Sequence, residues 1–205
     1  MKEKKFQRYD ADERKSSLIK STLNCLKLDG YAGLSVRKIT REANVSQGMI
    51  NHHFGSIDSL VINAYDAISN EFFDQTNALI DSHKGSASEK LIIFFRSYIS
   101  EDNLDPDLMK AWLVFWSLIR NSQDMASTYE YVNEKIETLL NNLLLNISKE
   151  EGLDITDTSL AAQSLIALLD GAWVRTCLSE KNLPPENTMK IFMKWLEAYK
   201  LGVFS

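Results

Sequence analysis

The chain is predicted to be all-α, with a three-helix head joined by a long helix to a helical body. Three observations carry this. Apolar residues recur at spacings of three and four along almost the whole chain, and no convincing β-alternation interrupts them. Only eight Gly and three Pro punctuate 205 residues. Residues 35–54 read as two short helices around a tight corner. The expected division places residues 1–56 in the head and 57–205 in the body.

Residues 1–9 are polar and basic and are expected to fray. Asp10 or Asp12 can cap a first helix of about Glu13 to Asp29, whose Leu18, Ile19, Thr22, Leu23 and Leu26 keep helical spacing. Gly30 stops it, and Tyr31 is either a core plug or a phosphate contact. Ser35 is a good N-cap for a second helix with Val36, Ile39 and Ala43 on one apolar face. Asn44 tolerates the left-handed conformation that ends a helix, and Val45 plugs the corner. Ser46 is expected to cap a third helix, Gln47 to His53. There Met49, Ile50 and Phe54 are apolar, while Gln47, Gly48, Asn51, His52 and His53 offer donors, acceptors or bare backbone. Such a helix suits one face to a core and the other to the major groove, whose base edges are read by short polar side chains.

Val45-Ser46-Gln47-Gly48 followed by His52-His53-Phe54-Gly55-Ser56-Ile57-Asp58-Ser59-Leu60 resembles the helix-turn-helix of the TetR family of bacterial repressors. The family shows a hydrophobic-Ser-x-Gly corner, a recognition helix ending His-Phe, and a polar linker into a long helix. This chain departs from it at Asn51, where Tyr is common, and at Ile57, where Lys is common. The resemblance implies a helix-turn-helix DNA-binding head and an effector-binding, dimerising body. It implies a repressor that sits on a palindromic operator as a homodimer and is relieved by a small molecule. Ser46, Gln47, Gly48, Met49, Asn51 and His52 are the expected groove-facing set, with Ser35 and Arg37 on phosphate. Gln47 is the candidate for base readout, because a side-chain amide pairs bidentately with adenine.

Ile57 to about Ile80 reads as the long connecting helix. Lys84 to Ser88 is a loop, and Ser88 is expected to cap Glu89 to Glu101. Asn103-Leu104-Asp105-Pro106 starts a helix running to about Ser122. Further helices are expected over Ala126 to Ser148 and Thr156 to Ser179, with a last one opened by Pro184-Pro185.

Met109 to Trp116 and Leu165 to Ser179 resemble the C-terminal domain of the BetI-type branch, whose namesake represses choline-to-glycine-betaine genes and is relieved by choline. On the residues alone, Trp112, Phe115 and Trp116 share one helix face, and Asp170 and Trp173 another. Aromatic faces with one carboxylate are what a quaternary ammonium needs. The same stripe is equally the pattern of an ordinary core. Asp170 can pair with Arg175 or a helix N-terminus. Choline or a similar small quaternary amine is the expected effector, and a regulator of an unrelated hydrophobic ligand is the alternative. In the last two helices, Leu168, Gly171, Ala172, Phe192, Trp195 and Tyr199 are expected to be left over for a dimer face. Two heads would then meet half-sites about 34–36 Å apart.

The net charge of −5 divides unevenly: residues 1–60 carry +4 and residues 61–205 carry −9. A basic head on an acidic body suits a regulator that lays one end on DNA. No apolar run is long enough for a membrane span, and no secretory signal is visible, so a cytoplasmic protein is expected. Cys25 and Cys177 read as free thiols. No metal site, no cofactor and no catalytic constellation is expected. His52, His53 and Asp58 cluster on one short segment, which DNA contact explains more simply than acid–base catalysis. A helical partner-binding protein without DNA activity is the remaining alternative.

Overall fold

Lys, Glu, Gln and Arg are good helix formers, and no Gly or Pro stands before residue 30. Accordingly α1 runs Lys2–Asp29, starting well before the expected Glu13. The computed structural model describes residues 2–155, 157–178 and 184–204, with side chains from residue 11 onward. Gly30, at φ 65°, ends α1, and a 3₁₀ turn, Tyr31–Gly33, leads to Ser35. The remaining helices are α2 (Val36–Glu42), α3 (Gly48–Phe54), α4 (Ile57–Ser82), α5 (Ala87–Tyr98), α6 (Pro106–Ile119), α7 (Gln123–Glu151), α8 (Ser159–Leu178) and α9 (Pro185–Lys200). Among the described residues there is no strand, and no helix is long and apolar enough to cross a membrane.

Several boundaries differ from expectation for local reasons. α5 is capped by Ser86, not Ser88: Ser86 Oγ accepts from Glu89 N–H while the Glu89 carboxylate accepts from Ser86 N–H. This reciprocal box satisfies two orphan donors at once, which a lone Ser88 cap cannot do. Ser88 instead lies in the first turn, and its hydroxyl donates to Glu151 at 3.0 Å. α7 starts three residues early, with Ser122 Oγ accepting from Met125 N–H at 3.2 Å. α8 starts at Ser159, and Thr156 and Ser179, its expected ends, lie outside the described residues. α9 opens as expected, with Pro185 in the first turn, where a missing N–H costs nothing.

The fold divides into two compact units, Met1–Asn70 with Lys110–Tyr129, and Glu71–Met109 with Glu130–Ser205. In the first, Leu18, Cys25, Ile39, Ala43, Ile50 and Leu60 form a buried cluster, with Val36, Val45, Met49, Phe54 and Ile57 packed against it. The second is centred on Phe94, Phe95, Leu140, Leu144, Leu165, Phe192 and Tyr199, all fully or almost fully buried. Phe192 stacks on Phe95 with centroids 4.7 Å apart, and Tyr199 Oη donates to Leu144 O at 2.9 Å. Phe192 and Tyr199 are therefore core residues of the chain itself, not the leftover apolar surface the sequence suggested. One fully buried aromatic side chain is worth roughly 1.5–3 kcal/mol, which outweighs leaving it exposed.

Candidate nucleic-acid interface

The head is built by short-range signals. Ser35, in extended conformation, accepts Lys38 N–H on its hydroxyl at 3.2 Å and so caps α2. Thr40 sits on the buried side of α2, its hydroxyl donating back to Val36 O. At the end of α2, Asn44 takes φ 53°, and Val45 N–H returns to Thr40 O at 2.9 Å. This left-handed residue reverses the chain in few residues and drives Val45 against the core.

α3 then starts one residue later than expected. Its N-cap position is Gln47, in helical conformation and without a side-chain capping bond, while Ser46 O accepts Met49 N–H at 3.0 Å. The cap position expected at Ser46 thus falls at Gln47, whose helical conformation continues the turn, and Ser46 is exposed before it. Gly55, at φ 78°, ends α3 with its N–H on Asn51 O, and Ser56 caps α4 through Ser59 N–H at 3.0 Å.

Ile50 is completely buried beneath this short helix. Ser46, Gln47, Gly48, Asn51 and His52 are all exposed, as are Ser35 and Arg37. A side chain added at Gly48 would meet nothing within 4 Å among the described residues, so the start of α3 presents open backbone. Met49 is different: it is half-buried and packs against the head's core. The hydrogen-bonding strip on α3 is thus held over an apolar anchor, an arrangement that can offer side chains to a groove.

Three neighbouring features escaped the sequence reading. Tyr31, 43% exposed, donates to Asp58 at 2.9 Å, so it is not a core plug. That bond pushes its phenol above the ordinary tyrosine range, because Asp58 prefers the protonated hydroxyl. Glu42 accepts from Asn24 at 2.9 Å and from Cys25 at 3.3 Å, tying α2 to α1. Burial, then that bond, pushes the Cys25 thiol up to about 11. Lys38 and Asp29 form an ion pair between α2 and the end of α1.

The aromatic residues expected to meet an effector fall in two sets. In the first unit Trp112 and Phe115 are buried and pack edge-on with Tyr65, at 5.8 and 5.4 Å between centroids, and Trp116 is half-buried. In the second, Trp173 packs on Tyr98 at 5.2 Å and Phe72 at 6.1 Å, its indole donating to Tyr98 O at 2.9 Å. Tyr65, Phe72 and Tyr98 were missed because they lie on other helices than the residues they join. Asp170 lies on the accessible side of α8. The low-dielectric wall beside it still pushes its carboxyl above the ordinary range.

Between α8 and α9 a groove of about 480 Å³ is lined by Leu168, Gly171, Ala172, Val174, Ile191 and Phe192, among others. A Cβ at Gly171 would meet nothing within 4 Å among the described residues. Ile191 is 42% exposed and Leu178 71%. Trp195, expected on a dimer face, is half-buried and donates to Ser164 Oγ at 3.1 Å.

A short, corner-linked helix pair with an exposed polar strip, carried on an all-helical chain, defines a helix-turn-helix transcriptional regulator. Comparison with known proteins makes this specific. The family described as "Bacterial regulatory proteins, tetR family" matches residues 18–64, and "BetI-type transcriptional repressor, C-terminal" matches residues 87–199. The HTH-type transcriptional regulator BetI of Klebsiella pneumoniae (strain 342) is 31% identical over 171 residues, 83% of this chain and 85% of its own. The BetI of Paraburkholderia phytofirmans is 25% identical over 90% of this chain and 92% of its own. A structure described as a transcriptional regulator from Pseudomonas aeruginosa PAO1 superposes with a TM-score of 0.83 at 37% identity, covering 93% of this chain and 92% of that one. The fold is shared with a Saccharomonospora viridis regulator solved in complex with choline, at TM-score 0.79 and 17% identity over 91% of this chain and 96% of that one. The chain belongs to the TetR family of transcriptional regulators and is BetI-like in its C-terminal part.

Proposed function

We propose that the chain is a homodimeric repressor that binds a palindromic operator through residues 1–56 and is relieved by a small organic cation, choline or a similar quaternary amine. The observation that carries the DNA reading is the exposed strip of Ser46, Gln47, Gly48, Asn51 and His52 above buried Ile50. Gln47 reads a base edge, Met49 borders the strip as an apolar contact, and Ser35 and Arg37 meet phosphate.

The dimer is proposed to form through residues 57–205, on the groove between α8 and α9. Open space over Gly171, and the exposure of Ile191 and Leu178, support an apolar face for a second copy. Two separate effector contacts are proposed, Trp112, Phe115 and Trp116 within the first unit, and Trp173 with Asp170 within the second. Each set is testable by itself. A cation without N–H donors is held by aromatic faces and by charge, and Asp170 supplies the only carboxylate of the five. The choline in the Saccharomonospora relative supports this class of ligand. Relief requires the ligand to prefer the arrangement that cannot hold DNA; a coupling of about 1–3 kcal/mol lowers operator affinity roughly five- to hundred-fold.

The test is a two-step titration. Gel shifts on the chain's own upstream DNA, at two salt concentrations, should show a saturable complex that outlives competitor DNA. Choline is then titrated while Trp fluorescence and the shifted band are both followed. A saturable fluorescence change with loss of the band is expected. A flat titration to millimolar choline, with DNA binding intact, removes the quaternary amine and leaves the repressor.

A further inference from the structure

A hydroxyl buried on a helix has a ready outlet: it can donate to the carbonyl four residues back. Thr22, Thr40 and Ser148, all buried, do so, bonding Leu18 O, Val36 O and Leu144 O at 2.8, 2.8 and 3.1 Å. Ser69 of α4 does not. It is 3% exposed, and its Oγ meets no hydrogen-bond partner among the described residues. A hydroxyl so placed costs stability that Ala would not, until a partner arrives.

Val61, Tyr65 and Ser69 follow at four-residue steps and are all buried, so they share one face of α4. On that face Tyr65 packs edge-on against Trp112 and Phe115 of α6. Ser69 stands one turn beyond Tyr65, about 6 Å along the axis. Tyr65, Ser69, Trp112 and Phe115 all belong to the first unit. The charges flanking Ser69 along α4, Asp66 and Glu71, are both negative. A carboxylate brought to Ser69 would be repelled by them, and a neutral hydroxyl would not.

We propose that Ser69 is the specificity-determining residue of the effector contact at Trp112, Phe115 and Trp116, its hydroxyl pairing with a neutral hydroxyl carried on a short arm of the quaternary amine. This rests on the effector reading of that aromatic set and adds what rings cannot supply. Aromatic faces hold any small quaternary amine by its charge alone. Ser69 both donates and accepts, so it meets a ligand hydroxyl in either sense. The hydroxylated amine is thereby preferred over its alkyl and its carboxylate counterparts.

The experiment uses the full-length protein and three probes: choline, propyltrimethylammonium, in which a methyl replaces the hydroxyl, and glycine betaine. Each is titrated into the unchanged chain and into Ser69→Ala while Trp fluorescence is followed. The unchanged chain should hold choline about 2- to 12-fold more tightly than propyltrimethylammonium, the ratio that one neutral hydrogen bond supplies, and betaine no better than the alkyl probe. Ser69→Ala should bring the first ratio to about one. Without ligand its thermal midpoint should match or exceed that of the unchanged chain, because it removes a buried hydroxyl that the fold leaves unsatisfied. A choline preference that Ser69→Ala keeps, or a lowered midpoint, overturns the role of Ser69, while saturable binding of the amines leaves the effector reading standing. Folded protein that shows no saturable change with any of the three overturns both.

Discussion

Replacing Gln47 by Ala isolates base readout from everything else the head does. Gln47 is exposed, has helical backbone angles and makes no capping bond. Ala is the better helix former, so the change should leave stability within about 0.5 kcal/mol. What it removes is the amide that can pair with adenine, worth about 1–3 kcal/mol of discrimination. That is a roughly 5- to 150-fold fall in the ratio of operator to random-duplex affinity. Ser35 and Arg37, proposed to meet phosphate, are untouched, so random-duplex affinity and the salt slope should hold. The operator is first selected from a random library with the unchanged protein, and both proteins are then titrated on it and on a scrambled duplex. Equal weakening on the two duplexes would show that Gln47 contributes general affinity and that its assignment to a base edge is wrong.

Asn44→Val should cost about 1–2 kcal/mol and lower the thermal midpoint, because a β-branched residue is strained at φ 53°, while Asn44→Gly should hold the midpoint or raise it. Cys25, with its thiol pushed up to about 11 and fully buried, should resist alkylation at pH 8 until the head unfolds, while half-buried Cys177 reacts first; mass spectrometry of native and urea-treated protein reads this directly. Ile191→Glu puts a charge in the groove between α8 and α9 and should convert a dimer to monomer in sedimentation while leaving helical content unchanged. A native chain that sediments as a monomer at micromolar concentration would remove the two-half-site reading.

The head was legible because its determinants are local. Ser35, Asn44, Gly55 and Ser56 each act within three or four residues, and each stands where its backbone preference is needed. Ser46 misled because Ser is favoured at caps in general, whereas here Gln47 already lies in the helix. The α5 start was written in the sequence as Ser86-x-x-Glu89, a spacing that distinguishes it from Ser88. The body was less legible. Whether Phe192 faces Phe95 or a partner depends on how α5 and α9 pack, and periodicity identifies an apolar face without naming its neighbour. The exposure of Asp170 likewise follows from the rotation of α8 about its own axis.

The carboxylates at the end of α7 fasten three helix ends at one corner. Glu150 accepts Ala87 N–H at 2.8 Å, Glu151 accepts the Ser88 hydroxyl at 3.0 Å, and Glu151 is also paired with Lys200 at the end of α9. The start of α5 is thereby fastened to α7 by charge-assisted bonds, in addition to its own capping box. Three segments far apart in the chain, the start of α5, the end of α7 and the end of α9, are thus held at a single point. A clasp made of two glutamates therefore closes a loop of more than a hundred residues onto itself, and Glu151→Gln should weaken its hold on α5 and on α9 in one step.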